Sequence, residues 1–179
     1  MIDLRLQIER AKAGDDSAKA EIYTELYTPI FKYTLSRTRD RSQAEDIASE
    51  VFFKFLKSLP NYTSETQTPL PYLYTIARNL IINHGLKKKT EHLPDEASEY
   101  ISDGKISQLE SSAQKEEVSL ILRTLDKLPD DQAEVIRLRY LSEFTTEEIA
   151  QTIGKTTVNV RKLESRAIAK LRILLNDNE

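Results

Sequence analysis

Apolar residues recur at steps of three and four along nearly the whole chain, and no stretch alternates like a strand closed by a Gly-bearing hairpin turn. The pattern predicts an all-α protein. Helices are expected over about Ser17 to Arg39, Ser42 to Leu59 and Pro71 to Lys88, then over Lys115 to Leu128, Asp131 to Leu141, Thr146 to Ile153 and Thr157 to Leu175. Pro29 falls inside the first and should kink it, because proline lacks the amide donor and its ring meets the carbonyl one turn back. Ser42 stands three residues before Glu45, and Thr145 three before Glu148. This is the capping-box spacing, at which side chains satisfy the free amides of a helix start.

Between Thr90 and Gln114 the periodicity fades. "EHLPDEASEYISDGK" offers proline, glycine, serine and acids with few apolar positions, the composition of a linker. The chain therefore divides into two small helical domains, residues 1–89 and 115–179, joined by a flexible, acidic connector over 90–114. No internal repeat relates the halves. With 179 residues there is enough chain to bury an ordinary core.

Charge changes this picture only locally. The formal net charge is -3, yet Lys87, Lys88 and Lys89 close the first half and Arg161, Lys162, Arg166, Lys170 and Arg172 crowd the last helix. Such local footprints are what phosphate binding requires. The absence of cysteine rules out disulfides and thiolate metal sites, and two isolated histidines do not make a metal centre, so neither metal nor cofactor is expected. The N-terminal residues lack an apolar signal core, and no segment approaches the roughly twenty apolar residues that span a bilayer. A cytoplasmic protein is expected.

Three helices carry candidate chemistry. In the last, Val160, Leu163, Ala167 and Leu171 share one stripe, suited to packing on Ile149 and Ile153 of the helix before. The opposite face holds Val158, Lys162, Ser165, Ala169 and Arg172, flanked by Arg161 and Arg166, and Gly154 occupies the short turn between the two helices. That is the arrangement of a helix-turn-helix, whose second helix enters the major groove. The bland alternative is a solvated basic helix end that complements the helix dipole. In "SQAEDIASEVFFKFLKSL", Ala44, Ile47, Ala48, Val51, Phe52, Phe55, Leu56 and Leu59 form a wide apolar face, while Asp46, Glu50 and Phe53 point away. Two acids beside an exposed ring suit a basic protein partner, although a solvated face with a stray Phe has the same spacing.

The third is "PYLYTIARNLIINHGLKKK". Leu73, Ile76, Ala77 and Leu80 should face the core, leaving Tyr72, Thr75, Asn79, Ile82 and Asn83 outside with Arg78 beside them. Aromatic, amide and guanidinium groups in a row suit unpaired bases, and the preceding loop adds Asn61, Tyr62, Ser64 and Gln67. A plain solvent-exposed connector has the same composition.

Taken in order, "QAEDIASEVFFKF", "YLYTIARNLIIN" and "LPDDQAEVIRLRYLSEFTTEEIAQTIGKTTVNVRKLESRAIAKLR" resemble the sigma-70 family of bacterial RNA polymerase initiation factors, specifically the small two-domain extracytoplasmic-function group. The resemblance covers nearly the whole chain. It implies a sigma factor, not an enzyme, that directs core polymerase to promoters and helps melt the minus-ten element. Asp46, Glu50 and Phe53 would dock on the clamp helices of the largest polymerase subunit. Asn61, Tyr62, Ser64, Tyr72, Thr75, Arg78 and Asn79 would meet the minus-ten strand, and Val158, Arg161, Lys162, Ser165 and Arg166 the minus-thirty-five duplex. Tyr72 stands where the family usually has Trp, Thr75 where it often has Arg, Asn83 where Asp is common, and Leu163 takes an Arg position. The group implies an anti-sigma factor as a further partner, which nothing in this sequence identifies. The linker would let the halves collapse on each other or on an inhibitor, hiding both DNA surfaces. Two rivals stay open here: a stand-alone helix-turn-helix repressor, and a helical enzyme using Glu45, Asp46 and Glu50.

Overall fold

The computed structural model describes residues 3–63, 68–83 and 120–176. All regular structure among these is helical. Helix α1 (Leu4–Lys12) is a short element that the periodicity reading passed over, capped by Asp3. Its Ile8 and Ala11 reach the core, but nine residues leave too few apolar positions for a clear stripe. Helix α2 (Asp16–Thr38) starts under an Asp15 cap and continues through Pro29 as one 23-residue helix. It ends at Arg39, whose φ of 57° is left-handed.

Helix α3 (Arg41–Ser58) corrects one expectation. Its cap is Asp40, which accepts from the Gln43 amide at 2.9 Å, so Ser42 and Glu45 lie inside the helix and make no capping box. Glu45 instead accepts from Arg41 Nε at 2.9 Å. A 3-10 turn (Leu59–Asn61) follows, then helix α4 (Leu70–Asn83). In the second half, α5 covers residues 120–125 and α6 (Asp130–Ile136) runs into a π-type turn (Arg137–Leu141). Helices α7 (Thr146–Ile153) and α8 (Thr157–Asn176) complete the order. The capping box at Thr145 and Glu148 is present in both directions, and Gly154 ends α7 at φ 65°. That left-handed geometry favours glycine and allows the tight α7–α8 turn. The 90–114 linker, together with Ser64, Gln67 and Lys87 to Lys89, lies outside the described residues.

The two halves meet over shared apolar cores. One cluster joins Ile22, Ile30, Phe52, Phe55, Leu73 and Ile81 of the first half to Val135, Leu138, Phe144, Ile149, Ile153 and Val160 of the second. Tyr74 packs on Phe144 across the seam, with ring centroids 4.8 Å apart. A second cluster sets Phe31, Leu35 and Ala44 against Leu122, Leu125, Leu128, Ala133, Ile136 and Ala167. Each fully buried aliphatic or aromatic side chain contributes about 1.5–3 kcal/mol. The closed arrangement therefore has a substantial apolar drive.

Candidate nucleic-acid and polymerase interface

Helix α3 buries Ala44, Ile47, Ala48, Val51, Phe52 and Phe55, the stripe expected from its periodicity. The opposite face is consequently turned outward. Phe53 is 68% exposed, Asp46 is exposed, and Glu50 pairs with Lys54 at 3.2 Å while remaining partly accessible. An exposed ring one turn beyond two acids offers apolar contact area, and the acids can steer a basic surface toward it.

Around the start of α4 an aromatic platform forms. Tyr62 lies 5.6 Å from Phe55 and 5.2 Å from Tyr72, ring centroid to ring centroid, and the Tyr72 hydroxyl donates to Ser58 Oγ at 3.2 Å. Phe55 is buried and anchors the group, whereas Tyr72, Asn61 and Asn79 are exposed. Leu73, Ala77 and Leu80 hold the helix to the core, and Ile76 is partly buried against it. The remaining two members of the polar row behave differently. The Thr75 hydroxyl donates to Pro71 O at 2.8 Å within its own helix and is 3.4 Å from Thr152 O of α7. Arg78 lies 3.8 Å from Asp131 of α6, and Asp131 also holds Lys155 at 3.1 Å.

Helix α8 packs through Val160 and Ala167, with Leu163 and Leu171 partly buried. Val158 is 56% exposed, and Arg161, Lys162, Ser165 and Arg166 are exposed beside it. Arg139 fixes this unit internally: its guanidinium reaches Glu164 at 3.1 Å, Phe144 O at 2.6 Å and Thr146 Oγ1 at 2.7 Å. The expectation that collapse would hide both DNA surfaces is thus corrected. Because α8 turns its apolar stripe to the core, its basic face stays open, whereas part of the polar row of α4 meets the other half.

Sequence reasoning gave no role to a charged group buried at the seam. From α2, Arg37 lies 3.2 Å from Glu134, the Tyr33 hydroxyl donates to the same carboxylate, and Arg39 pairs with Asp126 and donates to Leu122 O at 2.7 Å. Arg137 completes the group, 3.2 Å from Asp126. Glu134 is 2% exposed and Arg137 is 1% exposed. Burial raises the Tyr33 phenol well above its ordinary value, with the Glu134 charge adding to it. Burial opposes the Arg37 charge, but Glu134 and the other acidic neighbours outweigh it and hold this guanidinium above its usual pKa. Burial lowers Arg39, and burial together with Arg37 lowers Arg137. The signal available in sequence was faint: Glu134 and Arg137 interrupt an apolar helix face one turn apart, without indicating partners eighty or more residues away.

No group of three or more His, Cys, Asp or Glu suited to a metal ion occurs among the described residues. Nor is any described helix long and apolar enough to cross a membrane.

Comparison with known proteins assigns the class. The model for Sigma-70 region 2 matches residues 22–91, and that for Sigma-70, region 4 matches residues 124–172. Together they cover more than half of the chain, which belongs to the sigma-70 family. Within that family it falls in the extracytoplasmic-function group. It is 28% identical over 173 residues to the ECF RNA polymerase sigma factor BldN of Streptomyces coelicolor, covering 96% of this chain and 65% of that one. It is 30% identical over 173 residues to the probable RNA polymerase sigma factor RfaY of Xanthomonas campestris pv. campestris, covering 94% and 43%. The chain thus spans less than two thirds of the length of these two relatives. It is also 28% identical over 162 residues to the ECF RNA polymerase sigma factor SigM of Bacillus subtilis, covering 87% and 94%. Among solved structures, CnrH in complex with the cytosolic domain of CnrY shares the fold with a TM-score of 0.76 at 19% identity, covering 99% of this chain and all of that one. The sigma factor RpoE of Bartonella quintana, solved with the anti-sigma factor NepR, gives 0.64 at 21% identity, covering 89% and 99%.

Proposed function

We propose that this chain is a sigma factor: it directs bacterial RNA polymerase to chosen promoters, helps open the minus-ten element, and has no catalytic group of its own. The observation that carries this reading is the presence, on one small chain, of three faces with three different chemistries, two turned outward and the third, on α4, partly engaged by the other half. Asp46, Glu50 and Phe53 form the polymerase-binding face. Asn61, Tyr62, Ser64, Tyr72, Thr75, Arg78 and Asn79 receive the minus-ten strand, with Tyr62 and Tyr72 offering ring faces to unstacked bases. Val158, Arg161, Lys162, Ser165 and Arg166 read the minus-thirty-five duplex, the exposed arginines and lysine holding phosphates and base edges. A repressor would need only the last face, and would leave the α3 face without a purpose.

Neither DNA face is large, so specificity arises from holding both sites at a spacing fixed by the polymerase, each raising the other's effective concentration. The working place is the cytoplasm, where polymerase and promoters are. An anti-sigma factor belongs to the same reading, since the sigma factor RpoE named above was solved with one.

Run-off transcription with purified core polymerase on a library of promoter-like duplexes tests the proposal. Initiation should require the chain, and Asp46→Lys combined with Glu50→Lys should lower it by at least about 100-fold, near 2.7 kcal/mol, while helix content is unchanged. Tight binding of selected duplex by the chain alone, with no polymerase-dependent start, would instead identify an independent regulator.

A further inference from the structure

Resting on the sigma-factor reading, we infer that Arg139 is a positioning residue for duplex recognition: by holding Glu164 it keeps the one acid of α8 from pairing with Arg161, which then stays available to DNA phosphate. The charge pattern of α8 is the first support. The helix carries Arg161, Lys162, Arg166, Lys170 and Arg172 but a single acid, Glu164. Residues three apart on a helix are neighbours and residues two apart are not, so Glu164 competes for Arg161 and not for Lys162 or Arg166. Arg161 is nevertheless exposed, while the Glu164 side chain is turned inward and 19% exposed. Arg139 accounts for this. Its Nε lies 3.1 Å from Glu164 Oε1 and its Nη2 3.5 Å from Oε2, a two-point hold of the kind a guanidinium makes on a carboxylate.

The second support is how Arg139 itself is held. It stands in the π-type turn two residues after Arg137, and that offset sends the two side chains to different sides: Arg137 beside Asp126 at the seam, Arg139 into the angle between α7 and α8. The Arg139 guanidinium also donates to Phe144 O at 2.6 Å and to Thr146 Oγ1 at 2.7 Å. These contacts, from the loop ahead of α7 and from its first turn, fix the direction of the guanidinium independently of α8. A cation beside a helix start opposes the helix dipole. The dipole of α7 therefore does not explain why Arg139 is there, whereas the Glu164 carboxylate supplies a compensating charge.

Without the Arg139 charge, Glu164 has Arg161 as its cation one turn back on the same helix. A phosphate must then displace a carboxylate to reach Arg161, and a carboxylate drawn toward the outer face repels the DNA backbone. The loss falls on all duplex sequences alike, because a phosphate contact carries no base information. It also weakens the salt dependence, since one counterion fewer is released on binding.

The test uses the full chain bound to core polymerase, with affinity for a promoter duplex found by run-off selection measured across a series of salt concentrations. Arg139→Gln should weaken binding by roughly three- to tenfold and lower the log–log salt slope by about 0.9. Adding Glu164→Gln should restore both, because it removes the acid that Arg139 restrains. Arg161→Ala should lower the slope in the unmodified chain and lower it no further beside Arg139→Gln. An unchanged slope in Arg139→Gln, or no recovery on adding Glu164→Gln, overturns the inference; a residue that merely braced the fold would give that second result. If Arg139→Gln loses its helix signal, Arg139→Lys decides, since it keeps the charge opposite Glu164 and gives up the fork. Wild-type affinity and slope in that variant support the inference, and weakened binding overturns it. Loss of the helix signal in both makes Arg139 a folding residue and overturns it as well. Run-off transcription with the unmodified chain separates the two ideas. Initiation that requires the chain, without recovery by Glu164→Gln, removes only the positioning role; no initiation with the unmodified chain removes the sigma-factor reading.

Discussion

The outward faces of α4 and α8 are built alike, each a polar row with basic residues on a helix whose other side enters the core, yet the closed molecule treats them differently. Helix α8 sits at the outside of the second half and keeps Arg161, Lys162, Ser165 and Arg166 in solvent. Helix α4 lies where the halves meet, and Thr75 and Arg78 face α7 and α6. A surface's chemistry is thus a property of one helix, while its availability depends on what the rest of the chain lays over it.

The sharpest way to break this comparison is to remove charge from the open face. Lys162→Ala with Arg166→Ala should cost about 1–3 kcal/mol for each lost contact in promoter binding by the holoenzyme, and should reduce the dependence on salt by up to about two counterions. A titration of open-complex formation against ionic strength reads both. On the α4 side, Tyr72→Ala removes one ring of the platform, and should weaken binding of the minus-ten single strand by about 1–3 kcal/mol with no change in salt slope. Equal slopes before and after would distinguish a stacking role from a phosphate role. The smallest effect is expected at the α7 cap. Thr145→Ala removes a bond to the Glu148 amide of 3.2 Å, and should lower thermal stability by about 1 kcal/mol while the polar rows of α4 and α8 keep their chemistry.

Much of the fold was legible because helical burial is periodic. The buried stripe of α3 and the packing of Val160 and Ala167 follow directly from spacing, as does the exposure of Phe53. Local chemistry was legible where it is short-range, as at Thr145 with Glu148, and misled where a competing cap lay nearby. Asp40 outranks Ser42 because it stands just ahead of the first turn, at the position from which a side chain can reach the Gln43 amide. Helix α1 was missed for lack of length.

What the sequence determined by itself was the all-helical class, the three motifs and the outward chemistry of each helix, because these depend on residues within a few turns of one another. Only the tertiary structure decided that Thr75 and Arg78 of α4 meet the other half and which charges come together at the seam. Tyr33 and Arg37 meet Glu134, and Arg39 meets Asp126, across more than eighty residues of chain, and no local pattern encodes such a meeting. Burial of those charges is tolerable because each half, in covering the other's ion, also supplies its counter-ion; a buried ion left without one would keep an uncompensated desolvation cost.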